Sequence, residues 1–217
     1  MAAIICPTVL AGSPEEYREQ VERVAHFAVR IHLDLADGRF ARSKTIAIDK
    51  VWWPGGVRAD LHVMYTEPFR HAKALFHLHP DLIIVHAEAD GDFVAFAERA
   101  HAQGIAVGVA LKPETPVAAI APALAIIDHV LIFSGHLGHF GGHADTHLLT
   151  KVLQLKRLKS TLEIGWDGGI NNKNAATLAA GGVDVLNVGG FIQHAGDPQR
   201  AYDALHDLAK QNFKLRR

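Results

Sequence analysis

The sequence is short of cysteine and of net charge, and each shortage excludes a class of protein. Its 217 residues include a single cysteine, Cys6, so no disulfide can form within the chain, and a reducing compartment such as the cytoplasm is expected. Its 22 basic and 23 acidic side chains leave a formal charge of −1. A chain so nearly neutral has no strong field to attract nucleic acid or a membrane surface, and neither is expected as a partner.

Long apolar runs are also missing. The longest candidate, residues 117–127, is interrupted by Pro122 and is too short to cross a bilayer. The N-terminus has only a brief apolar run before Pro7, with no basic residues ahead of it, so no signal peptide is expected. We therefore expect a cytoplasmic protein.

The chain does have enough apolar material, 49% of its residues, for a substantial core. Eight short apolar runs predict strands, and amphipathic segments separate them. The predicted strands are residues 3–6, 29–35, 58–64, 82–87, 106–111, 129–134, 162–167 and 185–189. No segment between them resembles a linker, so one domain over residues 1–217 is expected.

The segments between the strands carry helix start signals. Ser13-Pro14-Glu15-Glu16 predicts a capping box with proline at the first helical position. Later helices are predicted to open at Thr66 and Pro68, Asp92, Thr115 and Pro116, Asp145, and Asp197 and Pro198. Residues 41–56 predict at most a short helix. Eight strands that alternate with helices favour a single (β/α)8 barrel over the alternative, a doubly wound open sheet.

Four residues with metal-binding side chains lie at or near the ends of predicted strands: His32, Asp34, His62 and Asp167. His32 and Asp34 are two residues apart, which places both on one face of a strand. Two imidazoles and two carboxylates suit zinc, iron, cobalt or manganese better than calcium. The sequence therefore predicts one divalent metal site at the carboxyl ends of the barrel strands.

The same carboxylates predict proton transfer. Two aspartates on opposite sides of a bound sugar could remove a proton from one face and deliver one to the other. The metal would stabilise the enediolate formed between the two steps.

Three glycine clusters follow predicted strands in the last third of the chain: Phe140-Gly141-Gly142, Gly168-Gly169 and Gly189-Gly190. Glycine lets backbone N–H groups approach an anion closely, and barrels often hold phosphate near strands seven and eight. Ordinary turns remain the alternative for each pair taken alone.

The order of these motifs resembles the ribulose-phosphate 3-epimerase family between residues 5 and 190. The matching stretches are CPTVLAG, IHLDLADGRF, DLHVM, EPFRHAKA, IIVHAE, GVALKPETPV, HFGGH, WDGGIN and GVDVLNVGG. The resemblance implies a metal-dependent barrel enzyme, commonly a homo-oligomer, that inverts C3 of a phosphorylated ketose substrate.

Carried over by motif, the resemblance implies that His32, Asp34, His62 and Asp167 bind the metal and that Asp34 and Asp167 are the acid/base pair. The substrate-binding positions predicted from the resemblance and the glycine clusters are Thr8, His62, His139, Phe140, Gly141, Gly142, Gly168, Gly169, Gly189 and Gly190.

Several positions depart from the family pattern around an intact set of metal and acid/base residues. Ala36 stands where methionine is usual, Ala41-Arg42-Ser43 where Val-Pro-Asn is usual, Gly165 where an acidic or amide residue is usual, and Gly190 where serine is common. Residues 135–143 are one residue longer than the usual phosphate loop and rich in histidine. His136, His139 and His143 could contact a modified substrate or a second anion, or belong to a solvated loop.

These departures leave several functions open. The first is epimerisation of D-ribulose 5-phosphate or of another ketose phosphate such as allulose 6-phosphate. The second is the chemistry of related barrel decarboxylases and aldolases. It is disfavoured, because those enzymes use an Asp-x-Lys-x-x-Asp element that this chain lacks. A barrel that binds metal or sugar phosphate without catalysis is the third alternative.

Overall fold

Eight parallel strands close into a barrel in which each strand pairs with the next and the last pairs with the first. The computed structural model describes residues 2–214, with side chains as far as residue 210. The strands are β1 (Ile4–Val9), β2 (Arg30–Ala36), β3 (Arg58–Met64), β4 (Leu82–His86), β5 (Ala106–Leu111), β6 (His129–Phe133), β7 (Glu163–Asp167) and β8 (Val185–Val188). The predicted (β/α)8 barrel is confirmed, and the open sheet is excluded. The predicted domain bounds, residues 1–217, extend beyond the described residues and stay a prediction.

Helical segments connect the strands. The α-helices are α1 (Pro14–Ala25), α2 (Ala72–His77), α3 (Phe93–His101), α4 (Leu149–Leu158), α5 (Ala175–Ala180), α6 (Gly190–Gln193) and α7 (Pro198–Lys214). Shorter 3₁₀ helices are Ile48–Lys50, Pro68–His71, Val117–Ala123 and Thr146–Leu148. None of the described helices is long and apolar enough to cross a membrane.

Two connections show how local sequence limits helix formation. Between β2 and β3, where every residue is described, the only helical segment is the 3₁₀ helix Ile48–Lys50, in line with the weak prediction for residues 41–56. After β5 the predicted helix forms only the 3₁₀ helix Val117–Ala123, which contains Pro122. Proline has no N–H to donate and its ring clashes with the preceding turn, so a regular α-helix is disfavoured there.

The start of α1 follows the predicted cap in part. The Oγ of Ser13 accepts a hydrogen bond from the N–H of Glu16 at 3.2 Å, and Pro14 is the first helical residue. The carboxylate of Glu16 accepts from the N–H of Gly12 at 2.8 Å, rather than from Ser13 as a complete capping box requires. Tyr17 and Val21 lie on the buried face that holds α1 against the barrel.

Alternation along the strands divides the buried side chains into two groups. On β2, the outward-facing Ile31, Leu33 and Leu35 are fully buried in the main core between the strands and the helices. Inside the barrel, Leu82, Ile84, Ala110 and Leu131 form a separate apolar cluster. The inward face of β2 is polar instead, which leaves its residues available for a site.

The amino ends of the strands are closed by a polar network on the far side of the barrel from the predicted site. Arg30, 2% exposed, donates through Nε to both Asp60 oxygens at 2.8 and 2.9 Å. Its two terminal nitrogens donate to the Glu163 carboxylate at 2.9 Å each, and His129 Nδ1 lies 2.8 Å from the same carboxylate. This end of such barrels contributes stability rather than catalysis.

Candidate metal centre and active site

The four predicted ligands converge at the carboxyl ends of β2, β3 and β7. Asp34 Oδ1 lies 2.8 Å from His62 Nδ1 and 3.4 Å from His32 Nε2. Asp167 Oδ2 lies 3.8 Å from His62 Nδ1 and 4.0 Å from His32 Nε2. One ligand atom from each residue falls within 4.8 Å of all the others.

This cluster has the properties of a metal site. His32 is fully buried, and neither of its ring nitrogens has a hydrogen-bond partner among the described residues. Buried polar groups are nearly always partnered, so an imidazole in this state is suited to coordinate a metal ion. Two imidazole nitrogens and two carboxylate oxygens form a donor set suited to a divalent transition metal. The cluster could therefore hold such an ion.

The two carboxylates differ in proton affinity. Burial raises the pKa of Asp167 to about 7, and the neighbouring charge of Asp34 adds to the shift. Burial also acts against the charged form of Asp34, but the adjacent imidazoles of His32 and His62 outweigh it and keep the pKa of Asp34 below its usual range. The two environments thus push a pair of adjacent carboxyl groups in opposite directions, a common property of acid/base pairs.

A third histidine supports the cluster from β4. His86 Nε2 lies 2.9 Å from His62 Nε2, on the side of the His62 ring that faces away from Asp34. Burial lowers the pKa of His86 to about 4, which keeps this ring neutral at pH 7. Groups that bond the second nitrogen of a ligand histidine fix its tautomer and orientation.

The turn after β2 is organised by Asp37. One oxygen of its carboxylate accepts from the N–H groups of Arg39 and Phe40, at 2.7 and 2.8 Å. The other accepts from the N–H of Thr66 at 2.9 Å and thereby ties this turn to the end of β3. Asp37 therefore acts as a turn residue that holds two loops together at the carboxyl ends of the strands.

A cleft lies directly above Asp34 and Asp167. The predicted site residues that line it are Thr8, Asp34, His139, Phe140, Gly141, Asp167, Gly168, Gly169, Gly189 and Gly190. His32 and His62 lie beneath its floor, fully buried. His62 and Gly142 were predicted to bind substrate, but neither lines the cleft, so a substrate contact for them stays a prediction.

Two of these glycines are required by the close approach of neighbouring loops. At Gly169, with φ +70°, a Cβ atom would lie 2.2 Å from the backbone nitrogen of Ala144. At Gly168, with φ +110°, a Cβ atom would lie 2.3 Å from the backbone nitrogen of Gly135. Any larger residue would push the loop after β6 away from the end of β7, so these glycines hold the cleft in its shape.

Sequence reasoning missed several residues of the cleft lining, among them Asn187 and Phe133. Asn187 is 2% exposed, and neither atom of its side-chain amide has a hydrogen-bond partner among the described residues. Thr8 Oγ1, also in the cleft lining, is likewise unpartnered within that part of the chain. The available signal was an asparagine inside the apolar run Val185-Leu186-Asn187-Val188.

The sequence is similar to one protein family and to named members of it. The model of the Ribulose-phosphate 3 epimerase family matches residues 4–192. Ribulose-phosphate 3-epimerase of Schizosaccharomyces pombe (strain 972) is 30% identical over 212 residues, which cover 94% of this chain and 93% of that protein. The enzyme of the same name from Bacillus subtilis (strain 168) is 32% identical over 180 residues, 79% of this chain and 82% of that protein.

A solved structure with the same architecture shows the fold alone. The 3-keto-L-gulonate-6-phosphate decarboxylase from Vibrio cholerae O1 biovar El Tor superposes with a TM-score of 0.73 at 14% identity, over 97% of this chain and 99% of that one. The family match extends over most of the sequence, and the relatives that share its name align over most of their own length. The chain therefore belongs to the ribulose-phosphate 3-epimerase family, whose members are isomerases acting on carbohydrates.

Proposed function

We propose that the protein inverts the configuration at C3 of a ketose phosphate, converting D-ribulose 5-phosphate into D-xylulose 5-phosphate and back. The observation that carries this proposal is the convergence of His32, Asp34, His62 and Asp167 within 4.8 Å, beneath a cleft lined by glycine pairs. Family membership supports the reaction type, and the cleft supports a phosphorylated substrate.

The four converging residues would hold one divalent ion such as zinc, iron, cobalt or manganese. When bound, such an ion supplies Lewis-acid stabilisation of negative charge on the substrate oxygens. The unpartnered nitrogens of His32 support its role as a ligand. His86 would keep the His62 ring oriented through the contact between their Nε2 atoms.

Asp34 and Asp167 would move the protons. They project from β2 and β7, which are separated around the barrel by β1 and β8, so a sugar carbon can lie between them. One carboxylate takes the proton from C3, and the electron pair of that bond moves into the C2 carbonyl to give an enediolate. The other carboxylic acid returns a proton to the opposite face of C3, which completes the inversion.

Backbone and uncharged groups would position the substrate. The loops that carry Gly141, Gly168 and Gly189 line the side of the cleft next to β7 and β8, where backbone N–H groups can bind phosphate. The unpartnered side chains of Thr8 and Asn187 lie in the same lining and would hydrogen-bond to sugar hydroxyls.

The test is exchange of hydrogen at C3. Purified protein of known metal content is incubated with D-ribulose 5-phosphate in deuterated water, with and without a chelator and with metal added back. We expect deuterium at C3, formation of xylulose 5-phosphate, loss of both with the chelator, and recovery on addition of metal. Metal-loaded protein that incorporates no deuterium at C3 would disprove the proposal for this substrate.

A further inference from the structure

A second cavity, which we call the distal compartment, adjoins the cleft beside Phe133. It is lined by residues 40–42 after β2, residues 112–114 after β5, and Phe133, Gly135, His136, Leu137 and His139 from β6 and the loop that follows it. Phe133, Gly135, His136 and His139 also line the cleft above the two aspartates. The two spaces therefore share the wall formed by Phe133 and the histidine-rich loop.

The barrel order places the reacting centre between the glycine pairs and the distal compartment. The glycine pairs at 168–169 and 189–190 follow β7 and β8, whereas Lys112 in the distal compartment follows β5. In a closed ring of eight strands, β8 and β5 lie on nearly opposite sides. A ketose anchored by its phosphate near β7 and β8, with C3 between Asp34 and Asp167, would extend its C1 end towards the distal compartment.

The lining of the distal compartment is cationic. Arg42 is exposed and forms no ion pair among the described residues, and Lys112 is the second cation. Lys112 Nζ lies 4.7 Å from the centre of the Phe40 ring and 4.0 Å from the Glu88 carboxylate. Glu114 is the single acid in the lining, and Glu88 faces Lys112 from outside it, so Arg42 is the cation of this lining that no described acid pairs.

The end of the compartment formed by Lys112 is held rigidly. The ammonium of Lys151 is largely buried and donates to the carbonyl oxygens of Lys112, Pro113 and Thr115 at 2.7, 2.9 and 2.7 Å. The Thr115 hydroxyl also donates to Glu88. The backbone of this turn is thus fixed before any ligand arrives, which reduces the entropy lost on binding.

The opposite wall depends on a contact that only glycine permits. A Cβ atom on Gly138, which has φ +73°, would fall 1.6 Å from Ser43 Oγ and 2.9 Å from Ser43 Cβ. The histidine-rich loop can therefore lie directly on the segment that carries Arg42. The residues that depart from the family pattern, Ala41-Arg42-Ser43 and the longer loop, are the ones that meet here.

We propose that the distal compartment binds a second anionic group, a phosphate or a carboxylate, at the C1 end of the substrate. The preferred substrate class would then be a ketose bisphosphate or a phosphorylated keto acid. The proton transfers at C3 break no bond at C1, so a group carried there is not consumed by the inversion. This inference rests on the proposed function, and the chemistry that recognises the group is charge pairing with Arg42 and Lys112.

Binding of unreactive analogues tests the inference separately from turnover. Calorimetry compares a pentitol 5-phosphate with a pentitol 1,5-bisphosphate and with a pentonate 5-phosphate, which carries a carboxylate at C1. We expect at least one analogue with two anionic groups to bind about tenfold more tightly than the monophosphate, and which one does so identifies the group. Equal affinity for all three compounds would overturn the inference.

The matched variants are Arg42→Gln, Lys112→Gln and Lys44→Gln. Lys44 is an exposed cation near Arg42 in the chain that does not line the compartment. We expect the first two to reduce the preference for two anionic groups to about threefold or less, and Lys44→Gln to retain it. An equal loss in all three variants would show a general effect of net charge and would contradict a specific site.

Deuterium exchange then separates this inference from the proposed function. The wild-type protein is given D-ribulose 5-phosphate, D-ribulose 1,5-bisphosphate and 2-ketogluconate 6-phosphate in deuterated water. Exchange at C3 that is faster for a substrate with two anionic groups than for the monophosphate supports both the proposed function and the distal anion site. Exchange with the monophosphate and no preference in binding would overturn the distal site alone. Tight binding of a doubly anionic analogue without exchange in any compound would disprove the epimerase and leave the anion site standing.

Discussion

His86 Nε2 lies 2.9 Å from Nε2 of His62, whose other ring nitrogen faces Asp34. This contact joins a histidine outside the four-residue cluster to one inside it. Since a ligand histidine has only two ring nitrogens, the contact decides which of them is directed at the metal centre.

Replacing His86 should therefore weaken metal retention. We expect His86→Phe to lower the affinity for a divalent ion by about 10- to 100-fold, because the His62 ring loses the group that orients it. Metal content after dialysis against graded chelator measures this directly. His101→Phe is the matched control, because His101 lies on the surface at the end of α3 and bonds Asp128. Unchanged metal affinity in His86→Phe would show that the contact does not position His62.

Removing either acid/base group should stop the proton transfers. We expect Asp34→Asn and Asp167→Asn each to reduce exchange at C3 by at least about 100-fold, with the barrel still folded. Exchange in deuterated water gives the rate, and circular dichroism checks the fold. Asp49→Asn, at an exposed position, should behave as the wild type. Full activity in either of the first two variants would rule out a mechanism with two aspartates.

Replacing Asn187 should lower activity without lowering stability. Its buried amide has no partner among the described residues, so Asn187→Leu should leave the free energy of unfolding unchanged or raise it. If the amide binds a sugar hydroxyl, kcat/KM should fall about tenfold, which corresponds to one lost hydrogen bond of about 1.4 kcal/mol. Chemical denaturation and the exchange assay measure the two effects. Parallel losses in both would indicate a structural role.

Gly169 should tolerate no side chain. Gly169→Ala combines a positive φ with a Cβ atom 2.2 Å from the Ala144 nitrogen, whereas Gly104→Ala at φ +75° meets nothing within 4 Å. We expect Gly104→Ala to cost about 1 kcal/mol from backbone strain and Gly169→Ala to cost about 1–3 kcal/mol more. Denaturant titration compares the two. Equal costs would mean that the loop after β6 moves aside freely.

The polar network at the amino ends of the strands should make the stability of the fold decrease at acidic pH. Burial acts against the charged form of Glu163, but hydrogen bonds with His129 and Arg30 hold the pKa of this carboxyl well below its ordinary value of 4.5. The stabilisation is present above pH 4.5 and is lost as the pH falls below it, because the unfolded chain takes up the proton first.

Melting temperatures between pH 6 and pH 3 test this dependence. The decline should be shallower in Glu163→Gln, which starts from a lower melting temperature at pH 6, and unchanged in Glu19→Gln, at an exposed position on α1. The same slope in Glu163→Gln and the wild type would assign the acid sensitivity to other groups.

Much of the fold follows from local sequence. All eight predicted strands are present, and most of their ends agree within one residue, because runs of apolar residues bounded by polar turns are local signals. The exception is β1, which continues past Pro7 to Val9. The helix predicted after β5 was wrong in type, since Pro122 interrupts the pattern that the neighbouring apolar residues suggest.

The candidate metal cluster was also predictable, because its members occur in motifs with strand spacing and barrel strands bring their ends together. The structural roles of Asn187, Lys151 and Gly138 could not be predicted from the sequence. Asn187 looks like an interruption of an apolar strand, Lys151 like a surface lysine of a helix, and Gly138 like one more turn residue.

By itself, the sequence determined the eight-stranded barrel and the identity of its metal and acid/base candidates, because periodicity and motif spacing are written along the chain. Only the tertiary structure decided that His86 bonds His62, that Lys151 fixes the turn beside Lys112, and that Ser43 meets Gly138. These contacts join residues 24 to 95 positions apart. They arise when the barrel closes and distant loops meet at one end, and no local pattern encodes that meeting.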